Sequence, residues 1–287
     1  MIVITGATGQ LGRLVIDNLL KSVPAAQIVA AVRNPDKAAD LAASGLQVRK
    51  ADYDEPSTLD SAFHGATKVL LISSNDLGKR ITQHQAVVDA AKRAKVQLIA
   101  YTSLLHADSS PLALADEHRQ TEVSILASGL PYALLRNGWY TENYALAIPA
   151  ALAHNALIGS SGEGRISSAS RDDYAAAAAA VLTSNLQGNH IYELAGDASY
   201  TLAEFAAEIS KQSKKLVSYV NMPELDYKAA LVAAGMPEHM AGVLADSGIG
   251  ASAGGLFDDS KQLSKLIGRP TTPMKETVAW ALAKQAG

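Results

Sequence analysis

The sequence predicts an α/β chain built on a doubly wound parallel sheet, with a smaller C-terminal lobe beside it. Three observations carry that expectation. Apolar runs rich in β-branched residues alternate with segments of helical periodicity. Several runs, such as KVLLIS, are apolar throughout rather than at every second position, as strands covered on both faces are. A glycine-rich turn, GATGQLG, joins the first run to the first helical segment.

The elements follow in order. Ile2–Thr5 is a strand, and Leu11, Val15, Leu19 and Leu20 then recur at helical spacing. Ile28–Val32 is a second strand, followed by a short helix over residues 35–43. Residues 46–51 and 69–73 are the third and fourth strands, with a helix over 82–94 behind them. Residues 98–103 are the fifth strand, a helix spans 117–127, and 132–136 is the sixth. Such alternation builds right-handed βαβ units. Beyond Arg136 the rhythm breaks, and loops and helices are expected from 137 to 170. A helix over 172–183 and a strand over His190–Leu194 return to the sheet. Thr201 and Glu204 form a capping-box pattern at a helix start. GIGASAGGLF reads as a loop, and DDSKQLSKLIGRP as a helix stopped by Gly268 and Pro270. The expected division is 1–140, with return elements near 165–195, against a lobe of 141–164 and 196–287.

Composition narrows the function. Of 287 residues, 48% are hydrophobic and 18% charged, enough apolar material for a sizeable core and too little charge for a disordered chain. A net charge of −3 with scattered basic residues argues against a nucleic-acid partner. The absence of cysteine removes disulfides, thiolate nucleophiles and cysteine zinc sites, and suits a reducing, cytoplasmic setting. A first strand starting at Ile2 leaves no room for a signal peptide. The longest apolar run, YAAAAAAVL, falls short of the roughly 18 residues a membrane span needs, so it reads as a buried alanine-rich helix with no membrane partner.

Gly6, Gly9 and Gly12 lie three residues apart across the first turn. Gly6 ends a strand, where a tight turn needs freedom in φ. Gly9 opens the helix and lets a ligand approach the first amides. Gly12 lies one turn in, where a side chain is expected to strike the neighbouring strand. A helix N-terminus bare of side chains suits a diphosphate, and Thr5 and Thr8 offer hydroxyl donors. The pattern is GxxGxxG rather than the common GxGxxG, but its place between a strand and an amphipathic helix points to a Rossmann-type dinucleotide site.

The second strand ends in Arg33 rather than the Asp or Glu that reads a ribose 2′-OH. A guanidinium there pairs with a 2′-phosphate in a forked geometry, so the expected cofactor is NADP, as NADPH. Asp52 follows the third strand and either meets adenine or caps a turn before Pro56. Ser73, Ser74 and Asn75 follow the fourth strand, at the carboxyl edge where open α/β sheets bind ligands.

The usual acid of a short-chain dehydrogenase is missing. None of the ten tyrosines has a lysine four residues on. Reduction of an aliphatic ketone needs that proton donor, whereas quinone reduction spreads its charge over an aromatic system and is served by proximity. His106 and His118 bracket acidic residues in no common metal-ligand spacing, so no metal is assigned; His118 is weighed as a general acid, and Ser103 as a polar residue near the site. RNGWYTENY clusters aromatics after the sixth strand in a chain only 5% aromatic, placing Trp139, Tyr140 and Asn143 as the expected substrate side. Arg171 and Asp173 read as helix caps. No catalytic side chain is assigned.

ITGATGQLG, AVRNPDK, KADYDEP, LLISS, AYTSLLHAD, LADEH, YALLRNGWYTENY, SASRDDYAAAAA and GGLFDDSKQLSKLIGRPTT together resemble the NmrA-like, atypical short-chain dehydrogenase/reductase group, and within it flavin-free bacterial NAD(P)H:quinone oxidoreductases. The resemblance spans nearly the whole chain. It implies NADPH as hydride donor and a quinone as acceptor. It also implies cofactor contacts at Gly6, Ala7, Thr8, Gly9, Gln10 and Leu11, at Arg33, and at Ser73, Ser74 and Asn75. Further implied contacts are Asn137, Gly138, Trp139, Tyr140, Thr141, Glu142 and Asp173. Triphenylmethane-type dyes or other electron-poor aromatics are the alternative substrates, and a non-catalytic NADP-sensing regulator is the alternative role. A homo-oligomer is compatible with either.

Overall fold

In the computed structural model, which describes residues 1–76 and 78–286, the strand–helix alternation is realised along the first half of the chain. β1 (Ile2–Thr5) leads into α1 (Gln10–Leu20), and β2 (Ile28–Val32) through a 3-10 turn into α2 (Ala39–Ala43). β3 (Gln47–Lys50), α3 (Pro56–Ala62), β4 (Lys68–Leu71), α4 (Arg80–Arg93), β5 (Leu98–Leu104), α5 (Ala115–Ser128) and β6 (Tyr132–Asn137) continue it. α6 (Thr141–Ala145), α7 (Ile148–His154) and β7 (Ala156–Gly159) follow, then α8 (Arg171–Thr183) and β8 (His190–Leu194). The rest holds α9 (Leu202–Ser213), β9 (Ser218–Asn221), α10 (Glu224–Ala233), α11 (Glu238–Ser252), α12 (Gln262–Ile267) and α13 (Met274–Ala286).

The chain divides into two units. The first comprises Met1–Leu104, Asp116–Asn137 and Arg171–Tyr192, and the second Leu105–Ala115, Gly138–Ser170 and Glu193–Gly287. The first is organised by a seven-stranded sheet of order β3-β2-β1-β4-β5-β6-β8. β1 to β6 pair in parallel. Their apolar runs suit this because both faces are covered. Val3, Val69, Ile99 and Leu134 pack with Leu59 of α3, with Phe63 just after it, and with Val87 of α4. The alternate residues Ile4, Leu70 and Ala100 are equally buried, toward the side covered by α1 and α8. α8 lies along α1, and its small alanines allow that approach while Val15, Ile16 and Leu19 of α1 are fully buried. Each such aliphatic side chain contributes about 1.5–3 kcal/mol by leaving water.

The second unit pairs β7 with β9 in a two-stranded parallel sheet. β7 lies in the stretch expected to hold loops and helices, and β9 in one to which the sequence pattern assigns no element, because each is four residues long and β9, SYVN, is half polar. The predicted capping box is present: Glu204 N–H donates to Thr201 Oγ1 at 3.1 Å, and Thr201 N–H to Glu204 Oε2 at 2.8 Å. GIGASAGGLF is not a loop throughout. Its first residues form the last turns of α11, where Gly248 and Gly250 leave room for Ser160 and Leu112 packed against the helix. Gly268, in the left-handed conformation, ends α12 as expected. Among the described residues, no helix is long and apolar enough to cross a membrane.

Candidate cofactor site

The sheet order places a topological switch point between β1 and β4: from there the strands run outward to β2 and β3 on one side, and to β5 and β6 on the other. Open α/β sheets bind ligands where such crossovers diverge, at the carboxyl ends of the strands. The glycine corner follows β1 and the 72–76 loop follows β4, so both flank this point.

At the corner, Gly6 has φ +59° and its carbonyl oxygen accepts from Gly9 N–H at 2.9 Å. That closes a tight turn which a side chain at Gly6 would strain. Gly9 is the N-cap of α1, and no side chain caps the helix. The first helical bond runs from Arg13 N–H to Gly9 O at 3.0 Å, so the amides of Gln10, Leu11 and Gly12 precede the helical ladder. Thr8, Gly9 and Gln10 are exposed, while Ala7 and Leu11 are buried beneath them. Gly12 is needed for a different reason from the one its sequence position suggests. A Cβ there would strike Gly6 O and come within 2.8 Å of Ala7 Cα, so it is the corner's own backbone, and not the neighbouring strand, that excludes a side chain. Thr5 is also corrected. It is fully buried, and its hydroxyl accepts from Ile72 N–H at 3.1 Å, bracing β1 to the chain leaving β4 instead of offering a ligand donor. Burial pushes the Tyr53 hydroxyl up to about 12, with Thr5 acting in the opposite direction.

The Thr5–Ala31 pairing sets Arg33 two residues beyond the end of β1's register, on the same carboxyl edge as the corner. Its side chain is exposed. Asp52 acts as a turn cap, its Oδ1 accepting from Asp54 N–H at 3.1 Å. Ser73 and Ser74 have their backbone amides tied inward, to Thr102 Oγ1 at 2.9 Å and His84 Nε2 at 3.0 Å, and Asn75 is exposed.

Ser103 is buried and donates to Glu122 Oε1 at 2.5 Å. Arg136 clamps the same carboxylate, Nε to Oε1 at 3.0 Å and Nη2 to Oε2 at 2.8 Å. Asn137, next in β6 and paired with Leu104, is 4% exposed, and its Oδ1 accepts no hydrogen bond among the described residues. Such an orphaned acceptor at the ligand edge is a place for a donor to arrive. Asp173 is fully buried in the first turn of α8. His118 does not fit a general acid. It is buried against Tyr101, whose hydroxyl lies 2.7 Å from Nδ1, and burial holds its charged form well out of reach of neutral pH.

The remaining sequence-predicted residues belong to the second unit. Gly138 N–H donates to Leu194 O at 2.8 Å, and Tyr140 bridges Ala169. Trp139 is 8% exposed. Thr141 Oγ1 lies 2.7 Å from Ser168 Oγ, which in turn lies 2.6 Å from the Tyr200 hydroxyl. Glu142 and Asn143 are half-buried in the first turn of α6. His106, also in this unit, faces carboxylates, with Glu193 Oε2 at 3.6 Å from Nδ1 and Asp258 Oδ2 at 3.6 Å from Nε2.

The NAD(P)H-binding family model matches residues 6–185, from the first glycine of the corner to just past α8. The chain belongs to this NAD(P)H-binding family. This family member is 58% identical over 97% of its length to quinone oxidoreductase 2 of Escherichia coli strain K12, of which it covers 98%. It superposes on the crystal structure of the E. coli NADPH-dependent quinone oxidoreductase complexed with NADPH with a TM-score of 0.96, covering 98% of this chain and all of that one, at 58% identity. It also matches the Citrobacter sp. triphenylmethane reductase complexed with NADP(H), with a TM-score of 0.94 and 41% identity, covering 98% of this chain and 100% of that one. The NmrA-like resemblance drawn from the motifs and the Rossmann-type architecture therefore hold.

Proposed function

We propose that this chain is an NADPH-dependent quinone reductase that works by direct two-electron transfer without flavin. The observation that carries the reading is the bare, uncapped corner at the β1/β4 switch point, in a chain 58% identical to a quinone oxidoreductase. The corner fits a dinucleotide: positive φ at Gly6, close packing at Gly12 and amides ahead of the helical ladder are what a diphosphate needs.

When bound, NADPH supplies the hydride. The amides of Gln10 and Leu11 hold the diphosphate beside Gly6, Ala7, Thr8 and Gly9, and Arg33 pairs with the 2′-phosphate. Ser73, Ser74 and Asn75 line the edge beyond β4, Asn137 Oδ1 accepts from a cofactor donor, and Asp173 supports that edge from α8. In the second unit, Gly138, Thr141 and Glu142 are proposed cofactor contacts, and Trp139, Tyr140 and Asn143 are proposed to face both cofactor and substrate. A quinone gains one hydride and one proton to become a hydroquinone. Burial moves Tyr53, Tyr101 and Tyr144 up, and His84 and His118 down, the opposite of tuning a proton donor toward neutral pH. That suits a substrate whose delocalised anion takes its proton from water.

The test is steady-state NADPH oxidation by purified, flavin-free protein across simple quinones. Turnover with quinones is expected, and binding of NADPH with no turnover on any quinone would overturn the reading. The 41% identity to a triphenylmethane reductase favours cationic dyes as a second substrate class, measured in the same assay. A cytoplasmic location belongs to this reading and is checked by cell fractionation.

A further inference from the structure

We propose that His84 is a positioning residue for the cofactor: its neutral Nε2, by accepting from the Ser74 amide, sets the backbone of the 73–75 segment against NADPH. The inference rests on the reading that this segment meets the cofactor.

The loop after β4 is held from within the first unit by buried side chains. Ser74 N–H reaches His84 Nε2 at 3.0 Å, and Ser74 O accepts from Arg80 Nε at 2.9 Å. Ser74 Oγ donates to Gln83 Oε1 at 2.6 Å. Arg80 is paired with Glu117 Oε2 at 3.2 Å, and the other oxygen of Glu117 accepts from Gly78 N–H at 2.8 Å. His84 is fully buried, and Gln83, Arg80 and Thr121 nearly so. Both polar atoms of the Ser74 peptide are thus fixed by α4, which α5 holds in turn.

The histidine tautomer follows from donor and acceptor identity. A backbone amide can only donate, so Nε2 carries no proton and the ring proton sits on Nδ1. Nδ1 lies 2.9 Å from Thr121 Oγ1, which accepts, and the Thr121 hydroxyl donates to Glu117 O at 2.9 Å. Each donor of this relay, the Ser74 amide, His84 Nδ1–H and the Thr121 hydroxyl, has an acceptor, and the relay is closed only while the imidazole is neutral. Burial and the nearby Arg80 charge keep it so, pushing its pKa down to about 3. A histidine that served only as core filler would need neither this tautomer nor a loop amide as its partner.

The test replaces the acceptor and measures cofactor binding separately from turnover. His84→Leu strands the Ser74 amide, and the NADPH Kd from fluorescence titration and the NADPH KM are both expected to rise about tenfold, with kcat at saturating NADPH little changed. His84→Gln keeps an acceptor in reach and is expected to restore KM to within a few-fold of wild type. Should His84→Leu fail to fold, Thr121→Val releases the tautomer instead, and is expected to raise KM and to speed amide hydrogen exchange over 73–76 in the full-length protein. The proposal is overturned if a folded His84→Leu or Thr121→Val protein binds NADPH as tightly as wild type, or if kcat alone falls. Wild-type protein that binds no NADPH would instead overturn the cofactor reading itself, a separate outcome.

Discussion

Gly12→Ala tests the corner directly. The added methyl would stand 2.8 Å from Ala7 Cα, about 0.6 Å inside ordinary contact at 3.4 Å, and closer still to the Gly6 carbonyl oxygen. Both are backbone atoms and neither can rotate away, so α1 must move off the corner. Overpacking of this kind costs about 1–3 kcal/mol, and a rigid backbone partner puts it at the upper end. Alanine returns about 1 kcal/mol of helix propensity. The net expectation is roughly 2 kcal/mol of lost stability. A shift of that size also misplaces the Gln10 and Leu11 amides, so NADPH binding should fall well beyond what stability alone explains. Gly9→Ala is the control: its methyl meets only Gly6 O, at 3.2 Å, in ordinary extended backbone. It should keep the fold and lose affinity, because that methyl occupies the surface a diphosphate approaches. The assays are urea unfolding and NADPH fluorescence titration on both variants. A Gly12→Ala protein as stable as wild type with unchanged NADPH affinity would refute the close-packing argument.

Three further outcomes follow from the same geometry. Arg33→Ala should weaken NADPH binding about 10- to 100-fold and leave NADH nearly unaffected, measured by parallel titrations. Glu122→Gln should lower the urea midpoint, because it takes the charge out of a buried carboxylate that Arg136 and Ser103 both bind. Acid should destabilise the fold through His84: its pKa falls from 6.5 in the unfolded chain to about 3 in the folded one, so the unfolded chain binds more protons between those values. Stability is then complete above pH 6.5 and falls as pH drops, by about 2–3 kcal/mol between pH 7 and 4.5 from this group. The same comparison on His84→Gln should show a correspondingly smaller loss, and an identical loss would discount the imidazole.

What the sequence disclosed was whatever rests on local chemistry. Ile2–Thr5 and Ile28–Val32 are continuous apolar runs with punctuation at both ends, and they appear as strands with those bounds. The TLAE cap and the Gly268 stop are likewise short-range and legible. Misreadings came where tertiary neighbours decide. Gly248 and Gly250 look like loop residues, yet they lie in a helix, where Ser160 and Leu112 leave no room for a side chain. His118 follows an acidic stretch and looks accessible, but its partner, Tyr101, lies on β5, and only the fold reveals that both are interior. His84 was silent for the same reason: its role comes from Ser74 and Thr121, on a different loop and a different helix, and no spacing in the sequence announces them.

The broken continuity of the first unit bears on how the protein is made. α1 packs along α8, which begins only at Arg171. At synthesis rates of about 5–20 residues per second, the nascent chain carries that face of α1 uncovered for about 8–30 s. A fragment ending near residue 140 lacks α8 and should therefore expose the face of α1 against which α8 packs, and aggregate more readily than the whole chain.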